Sequence, residues 1–394
     1  MLRNALIICH RYTGLGIALF LIIVGITGSI LVWHEELDSW LNPHWFIVDT
    51  AGQPRSAQQL IGAFKAQRPQ ADISFINMPM SADSSVHVSV INYFASDGLT
   101  ALDQVFLDPV SGDILGARNT RNPGLNRGEI IRWIYVLHYK LTLGNGVMIF
   151  MGWVSMVWLF NCFIGFYLTL PLGAFRWSKW KKAWKIRPTR FNYDWHRATG
   201  LWLWPLMAML AFTGVYFNIS AQVVMPVLKA VTEVTRQPFE EPPLKEPLFN
   251  PVLDWDAAIG LGADEMRSRD IAYKLQYVGY YPYNGYYLVG FDTEHKKAEG
   301  VVGTQVYVDG RDRSIISTRI VGEGKPGDTF LEWQFPLHSG KAFGLVNRII
   351  IFLTGLAVAA SSVTGVLIWW RKRRARAREE EISGAGAIVS SPTV

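Results

Sequence analysis

Cys9-His10-Arg11-Tyr12-Thr13-Gly14-Leu15 opens one long apolar stretch, and Trp195-His196-Arg197-Ala198-Thr199-Gly200-Leu201 opens another. At the same offset Thr27-Gly28 matches Thr213-Gly214. A second set of matches links Leu137-His138 to Leu337-His338, Gly144 to Gly344 and Gly165 to Gly365. Each half of the chain therefore reads helix, long loop, helix. A hydrocarbon core needs about 20 apolar residues per helix, and four stretches qualify: Tyr12 to Trp33, the most apolar part of 141–175, Ala198 to Leu228, and Ile349 to Trp370. A signal peptide is the other reading of the first. It is longer than the usual apolar core of about 7–15 residues, and His34-Glu35-Glu36-Leu37-Asp38 follows it instead of a small-x-small cleavage site.

Composition agrees. Only 18% of the 394 residues are charged, against about 25% in soluble domains. The 52 aromatic residues exclude a disordered chain. Two cysteines make neither a disulfide framework nor a four-cysteine zinc site, and no Cys-x-x-Cys-His is present for covalent haem attachment. Seven Lys/Arg and no acid fall within 176–190, and six more within 371–378. Both runs are expected on the cytoplasmic side, so the net charge of +6 reads as topology and not as nucleic-acid binding.

The expected fold class is a mainly α membrane protein: four transmembrane helices in two parallel repeats, with two small, separate α+β domains on the outer side. The expected boundaries are 1–34 (first membrane helix), 35–131 (first outer domain), 132–175 (short outer-side helix and second membrane helix), 176–195 (basic loop), 196–220 (third membrane helix), 221–337 (second outer domain), 338–370 (outer-side segment and fourth membrane helix) and 371–394 (basic tail). In the first loop a helix capped by Ser56 runs to Gln67, strands run over 72–78 and 86–93, and a hairpin spans 105–115. The second loop repeats this as a helix near 254–268, strands near 271–281 and 285–292, and a hairpin over 305–316.

Five of eight histidines lie near helix ends: His10, His34, His138, His196 and His338. His10 and His34 stand roughly 36 Å apart at 1.5 Å per residue, at opposite faces of the membrane. The matches pair His10 with His196 on the inner side and His138 with His338 on the outer side. Two imidazoles facing across an axis are what a six-coordinate haem iron needs. A proton relay or a non-haem iron site are the other readings. His34 is an alternative outer ligand. Arg11 and Arg197 are candidates for haem propionates or for snorkelling to the interface. Gly28, Gly165, Gly214 and Gly365 give room for a flat macrocycle or for close helix packing. His44, His87 and His295 read as ordinary surface or strand residues. No nucleophile, general base or phosphate loop is found. Six tyrosines between Tyr277 and Tyr287, Tyr280 and Tyr283 foremost, with Trp333, are candidates for a substrate platform or for plain strand packing.

The repeated His-Arg-x-Thr-Gly-Leu, the Leu-His ahead of a membrane helix and the Val-x-x-Asp-x-x-x-Gly-x-Ile-Leu hairpin resemble PepSY-associated transmembrane proteins, and more narrowly FoxB-type siderophore reductases. The resemblance covers the chain to about residue 378. It implies a two-haem protein of a bacterial inner membrane with both termini cytoplasmic. Two b-type haems on His10 with His196 and on His138 with His338 would carry electrons outward, from a quinol or a cytoplasmic reductase to a periplasmic ferric siderophore. Membrane lipid is the other partner, and nucleic acid is not one. A siderophore or iron permease, and a PepSY-based sensor or peptidase-regulating module, remain the rival readings.

Overall fold

The computed structural model describes residues 1–79, 81–91, 103–170, 178, 181 and 185–389, the side chains of 381–389 excepted. Of the basic run, only 178, 181 and 185–190 fall within this set, and the strand expected over 86–93 is described to Ile91. The chain divides into two units. One comprises Met1–Val32, His138–Val223 and Arg348–Val394; the other comprises Trp33–Leu137 and Val224–Asn347.

The first unit is helical. Its main elements are α1 (Leu2–Leu31), α4 (Asn145–Thr169), α5 (Phe191–Trp202), α6 (Trp204–Ile219) and α9 (Gly344–Val389). Among the described residues, four helices are long and apolar enough to cross a membrane: Leu2–Leu31, Asn145–Thr169, Trp204–Val231 and Lys341–Glu380. The third expected span is interrupted at Leu203, between α5 and α6. Pro205 lies in the first turn of α6, where its missing N–H costs nothing, and it cannot continue the preceding helix. Gly144 and Gly344, matched in sequence, take φ of +95° and +71° at the starts of α4 and α9. A left-handed residue there turns the chain into the helix, and glycine does so without a Cβ clash. Ile17, Leu21, Met151, Val154, Met207, Ala357 and Val358 form the apolar centre of this unit.

The second unit corrects the expected fold class. It is one antiparallel sheet of eight strands in the order β4-β3-β2-β1-β5-β6-β7-β8, and the two small separate domains do not exist. More than half of the chain is helix, and the correction is the single eight-stranded antiparallel sheet that stands beside the helices in place of two small α+β domains. The first loop supplies α2 (Ala57–Gln67), β1 (Asp72–Asn77), β2 (Val86–Ile91), β3 (Gln104–Leu107), β4 (Ile114–Arg118) and α3 (Ile130–Lys140). The second supplies α7 (Trp255–Ser268), β5 (Tyr273–Tyr281), β6 (Tyr286–Thr293), β7 (Thr304–Asp309), β8 (Ile315–Arg319) and α8 (Gln334–Ser339). The physical reason for the merger is edge satisfaction. Each four-stranded meander alone would leave one inner edge of unpaired N–H and C=O groups. They pair instead, with Phe75 opposite Gly279 and Ile76 opposite Val278. Gly279 is what permits this: a Cβ there would lie 2.5 Å from the Phe75 ring.

The helices cap as the sequence indicates. Ser56 accepts from Gln59 N in a reciprocal capping box, and Asp254 accepts from Ala257 N at 2.7 Å. Leu60 and Phe64 of α2 and Ala258 and Met266 of α7 cover one face of the sheet over Ile76, Val88, Val278, Val289, Phe291 and Val306. Because one sheet contains strands from both loops, both loops lie on the same side of the membrane. The chain must cross an even number of times between them, as Asn145–Thr169 and Trp204–Val231 allow.

Two details of the sheet give measurable expectations. The β3–β4 and β7–β8 turns are built alike: Asp108 Oδ1 accepts from Val110 N and Ser111 N at 2.7 and 2.9 Å, and Asp309 Oδ1 accepts from Arg311 N at 2.7 Å. The turn then passes a left-handed residue, Gly112 at φ +76° in one and Arg313 at φ +69° in the other. Arg313→Gly should therefore raise the stability of the sheet unit by about 1 kcal/mol. Gly112→Ala should lower it, because a Cβ there meets the Ala63 Cβ at 2.6 Å. Thermal melting of the two variants tests the pair.

His87 on β2 was read as an ordinary strand residue. Its ring packs edge-on against Phe46 and Phe106, 5.3 and 4.7 Å between centres. Burial, and then the Arg118 charge, lower its pKa to about 4, against a weaker opposing effect of Asp38. The unfolded chain takes up this proton near pH 6.5, before the folded one does. Stability is then unaffected above pH 6.5 and falls between 6.5 and 4, by up to about 3 kcal/mol. His87→Phe should remove that acid-sensitive component of the melting curve, and an unchanged pH profile would refute the assignment.

Candidate functional site

His10 on α1 and His196 on α5 face each other, with ring centres 6.1 Å apart and planes at 63°. Each is held through the same nitrogen. His10 Nδ1 lies 2.8 Å from Asn161 Oδ1, on α4. His196 Nδ1 lies 2.9 Å from the main-chain oxygen of Ser361, on α9. A carbonyl oxygen only accepts, so Nδ1 donates its proton in both rings and the lone pair resides on Nε2. His138 on α3 repeats the pattern. Its Nδ1 is 3.0 Å from Thr27 Oγ1, whose own proton goes to the Ile23 carbonyl at 2.7 Å. Thr27 therefore accepts from His138, whose ring also hydrogen-bonds the Val24 backbone. Fixing one ring nitrogen as a donor to orient the other for a metal is the usual arrangement of a ligating histidine.

The separation fits an iron between two rings. Bonds of about 2 Å from each imidazole nitrogen place the ring centres roughly 6 Å apart, as His10 and His196 are. Among the described residues, no group of three or more His, Cys, Asp or Glu side chains is placed to hold a metal ion. Two imidazoles from different helices would fit the protein's share of the donors that a haem iron takes.

The threonine in the repeated motif has a role at this point. It stands one turn after its histidine, on the same helix face. Thr13 Oγ1 lies 3.2 Å from Asn161 Oδ1, and Thr199 Oγ1 lies 2.7 Å from Ser361 Oγ. Each His-Arg-x-Thr segment thus grips one residue of a neighbouring helix twice. Asn161 and Ser361 were not singled out in the sequence. They are related by the offset that links Gly165 to Gly365, and that was the available signal.

The glycines seat the imidazoles. A Cβ at Gly165 would come 3.1 Å from His10 Cε1, one at Gly365 3.2 Å from His196 Cε1, and one at Gly28 2.8 Å from His138 Cε1. Gly214 differs, since its Cβ would meet Ser155 Oγ at 2.8 Å. Arg197 Nη2 stands 3.6 Å from Asp194 Oδ1. That fully buried carboxylate also accepts from Arg187 Nε at 2.9 Å. Arg11, beside His10, is half-buried.

The remaining candidates fall in the sheet-bearing unit, so the outer pair is divided between the two units. His338 lies on α8, and His34 opens the helix His34–Leu41 with Nε2 3.8 Å from Glu35. Tyr280 is a core residue whose hydroxyl donates to the Leu248 carbonyl. Tyr283 is 48% exposed, in the β5–β6 turn. Trp333 packs against the cluster of Ala298, Val301 and Val321. Strand packing thus accounts for Tyr280, Trp333 is partly buried, and Tyr283 is exposed.

Among the described residues, four helices long and apolar enough to span, together with a sheet-bearing unit, define a polytopic membrane protein. A family model described as PepSY-associated TM region matches residues 7–372, and the chain belongs to that family. No curated protein matches the sequence.

Proposed function

We propose that the protein is a di-haem electron carrier of a bacterial inner membrane, with both termini cytoplasmic, that reduces a ferric siderophore on the periplasmic side. The observation that carries the reading is the His10–His196 pair: two rings from different helices, 6.1 Å apart, each with Nδ1 committed to an acceptor. His10 and His196 would hold the inner haem, and His138 and His338 the outer one. Haem bound there supplies one-electron chemistry between ferric and ferrous iron. The chain's own contribution is to hold each imidazole neutral and oriented, and to keep the site among apolar side chains. Ser361, Asn161 and Thr27 do the first. Ile17, Leu21, Met151 and Val154 form the apolar centre of the helical unit in which His10 and His196 stand. A siderophore binds ferric iron through hard oxygen donors, and reduction weakens that binding. The siderophore as acceptor rests on the resemblance of the motifs, and the electron donor is a quinol or a cytoplasmic reductase.

The test is an absorption spectrum of detergent-purified protein, oxidised and dithionite-reduced, with a haem-to-protein ratio. Two six-coordinate b-type haems per chain, reoxidised by a ferric hydroxamate or catecholate, are the expected result. Protein produced with ample haem that carries none would overturn the proposal. Haem that is reduced but never reoxidised by a ferric chelate would keep the carrier and remove the siderophore.

A further inference from the structure

We infer that Asn161 is a positioning residue that sets the reduction potential of the inner haem through His10, an inference that rests on the haem reading above. The two inner histidines are not held alike. His196 donates to a main-chain carbonyl, which no substitution at Ser361 removes. His10 donates to a side-chain amide, which the sequence is free to change. Asn161 is 8% exposed, inside a helix that carries no charged side chain along its length. A polar side chain in that setting costs free energy unless it is hydrogen-bonded, and its oxygen accepts from His10 Nδ1 at 2.8 Å, with Thr13 Oγ1, which donates to the Cys9 carbonyl at 2.8 Å, standing 3.2 Å away. Its nitrogen is packed against α1, where a Cβ at Gly14 would lie 3.3 Å away. The amide is therefore clamped with its oxygen toward the imidazole.

The strength of the acceptor on Nδ1–H governs how much electron density Nε2 gives to a metal. A stronger acceptor favours the ferric state and lowers the potential; a missing acceptor raises it. Asn161→Leu keeps the size and removes the acceptor. Asn161→Asp keeps the shape and strengthens it. Potentiometric titration of the purified haem-loaded protein, followed by absorbance, reads both midpoints, and His10→Ala identifies which belongs to the inner haem. The expected result is an upward shift of the inner midpoint in Asn161→Leu, a downward shift in Asn161→Asp, and an unmoved outer midpoint in both. Haem loss from Asn161→Leu to excess apomyoglobin should also be about 10- to 100-fold faster. If that variant holds no inner haem, the sign of the shift in Asn161→Asp decides alone. Shifts in one direction for both variants, or none in either, would overturn the inference and leave the haem reading standing. Wild-type protein without haem would sink the reading and this inference with it.

Discussion

On the proposed di-haem reading, His10→Ala and His196→Ala are each expected to lose one haem and keep the other. Either substitution removes one of the two imidazoles that would hold the inner haem and leaves a space of that size. It also removes the imidazole donor to Asn161 Oδ1 in the first case, and to the Ser361 carbonyl, which keeps the Thr364 hydroxyl, in the second. Loss of a group that only orients a ligand costs about 10- to 100-fold in metal affinity, and loss of the ligand itself should exceed that. The haem-to-protein ratio should therefore fall from about two to about one. Electron transfer through the protein to an external ferric chelate should fall more than about 100-fold. Added imidazole should partly restore the six-coordinate spectrum, because the space and the acceptor both survive. Full retention of both haems in either variant would exclude the inner pair as ligands.

The second large effect is expected at a place with no histidine. Gly25 on α1 and Gly355 on α9 touch backbone to backbone. A Cβ at Gly25 would lie 2.6 Å from the Gly355 carbonyl oxygen, and one at Gly355 would lie 2.8 Å from the Gly25 oxygen and 2.3 Å from Ser29 Oγ. Ser29, 1% exposed, is within hydrogen-bond distance of the Gly25 and Phe352 carbonyls at 2.8 and 2.9 Å. These are small residues four apart, Gly25 to Ser29 and Gly355 to Ala359, the pattern by which membrane helices approach closely. A main-chain oxygen cannot swing aside as a side chain can. Valine at either position must part the helices, and overpacking of this kind costs roughly 1–3 kcal/mol or more. Gly25→Val and Gly355→Val should melt well below the wild type in detergent. Gly16→Ala and Gly146→Ala are the controls, since a Cβ at either meets nothing within 4 Å. Equal melting of all four would refute the packing argument.

Parts of this architecture were legible because they depend on local pattern. An uncharged run of sufficient length reads as a membrane helix wherever it docks. Ser56 and Asp254 read as caps from one turn of sequence. Gly144 and Gly344 mark the entry to a helix because only glycine takes that φ freely. The His-Arg-x-Thr motif drew attention to the residues that carry the inner site. Its partners were not legible, because Asn161 resembles any polar residue in an apolar run until Nδ1 of His10 is seen beside it. The single sheet was hidden for a related reason. Each loop reads as a complete small unit, and nothing in the alternation of β1 or β5 states which strand lies across its open edge. Gly279, which allows Phe75 to lie opposite, is silent until that partner is present. Tyr280 illustrates the opposite error. A dense run of tyrosines invites a binding role, yet alternation sends Tyr280 and Tyr287 into the core, where their hydroxyls donate to Leu248 and Leu253.

The β1–β5 seam has a consequence for how the molecule is made. Strand β1 emerges early in synthesis, but β5 follows only after two further hydrophobic segments have been threaded into the bilayer. Until then β1 stands as an open template, able to recruit any extended chain in its surroundings. Contacts this distant in sequence form slowly, since a long intervening loop must close first. The nascent protein therefore passes through a vulnerable interval whose length is set by insertion of its own middle, and a holding chaperone in the compartment that receives the loops would act on that edge.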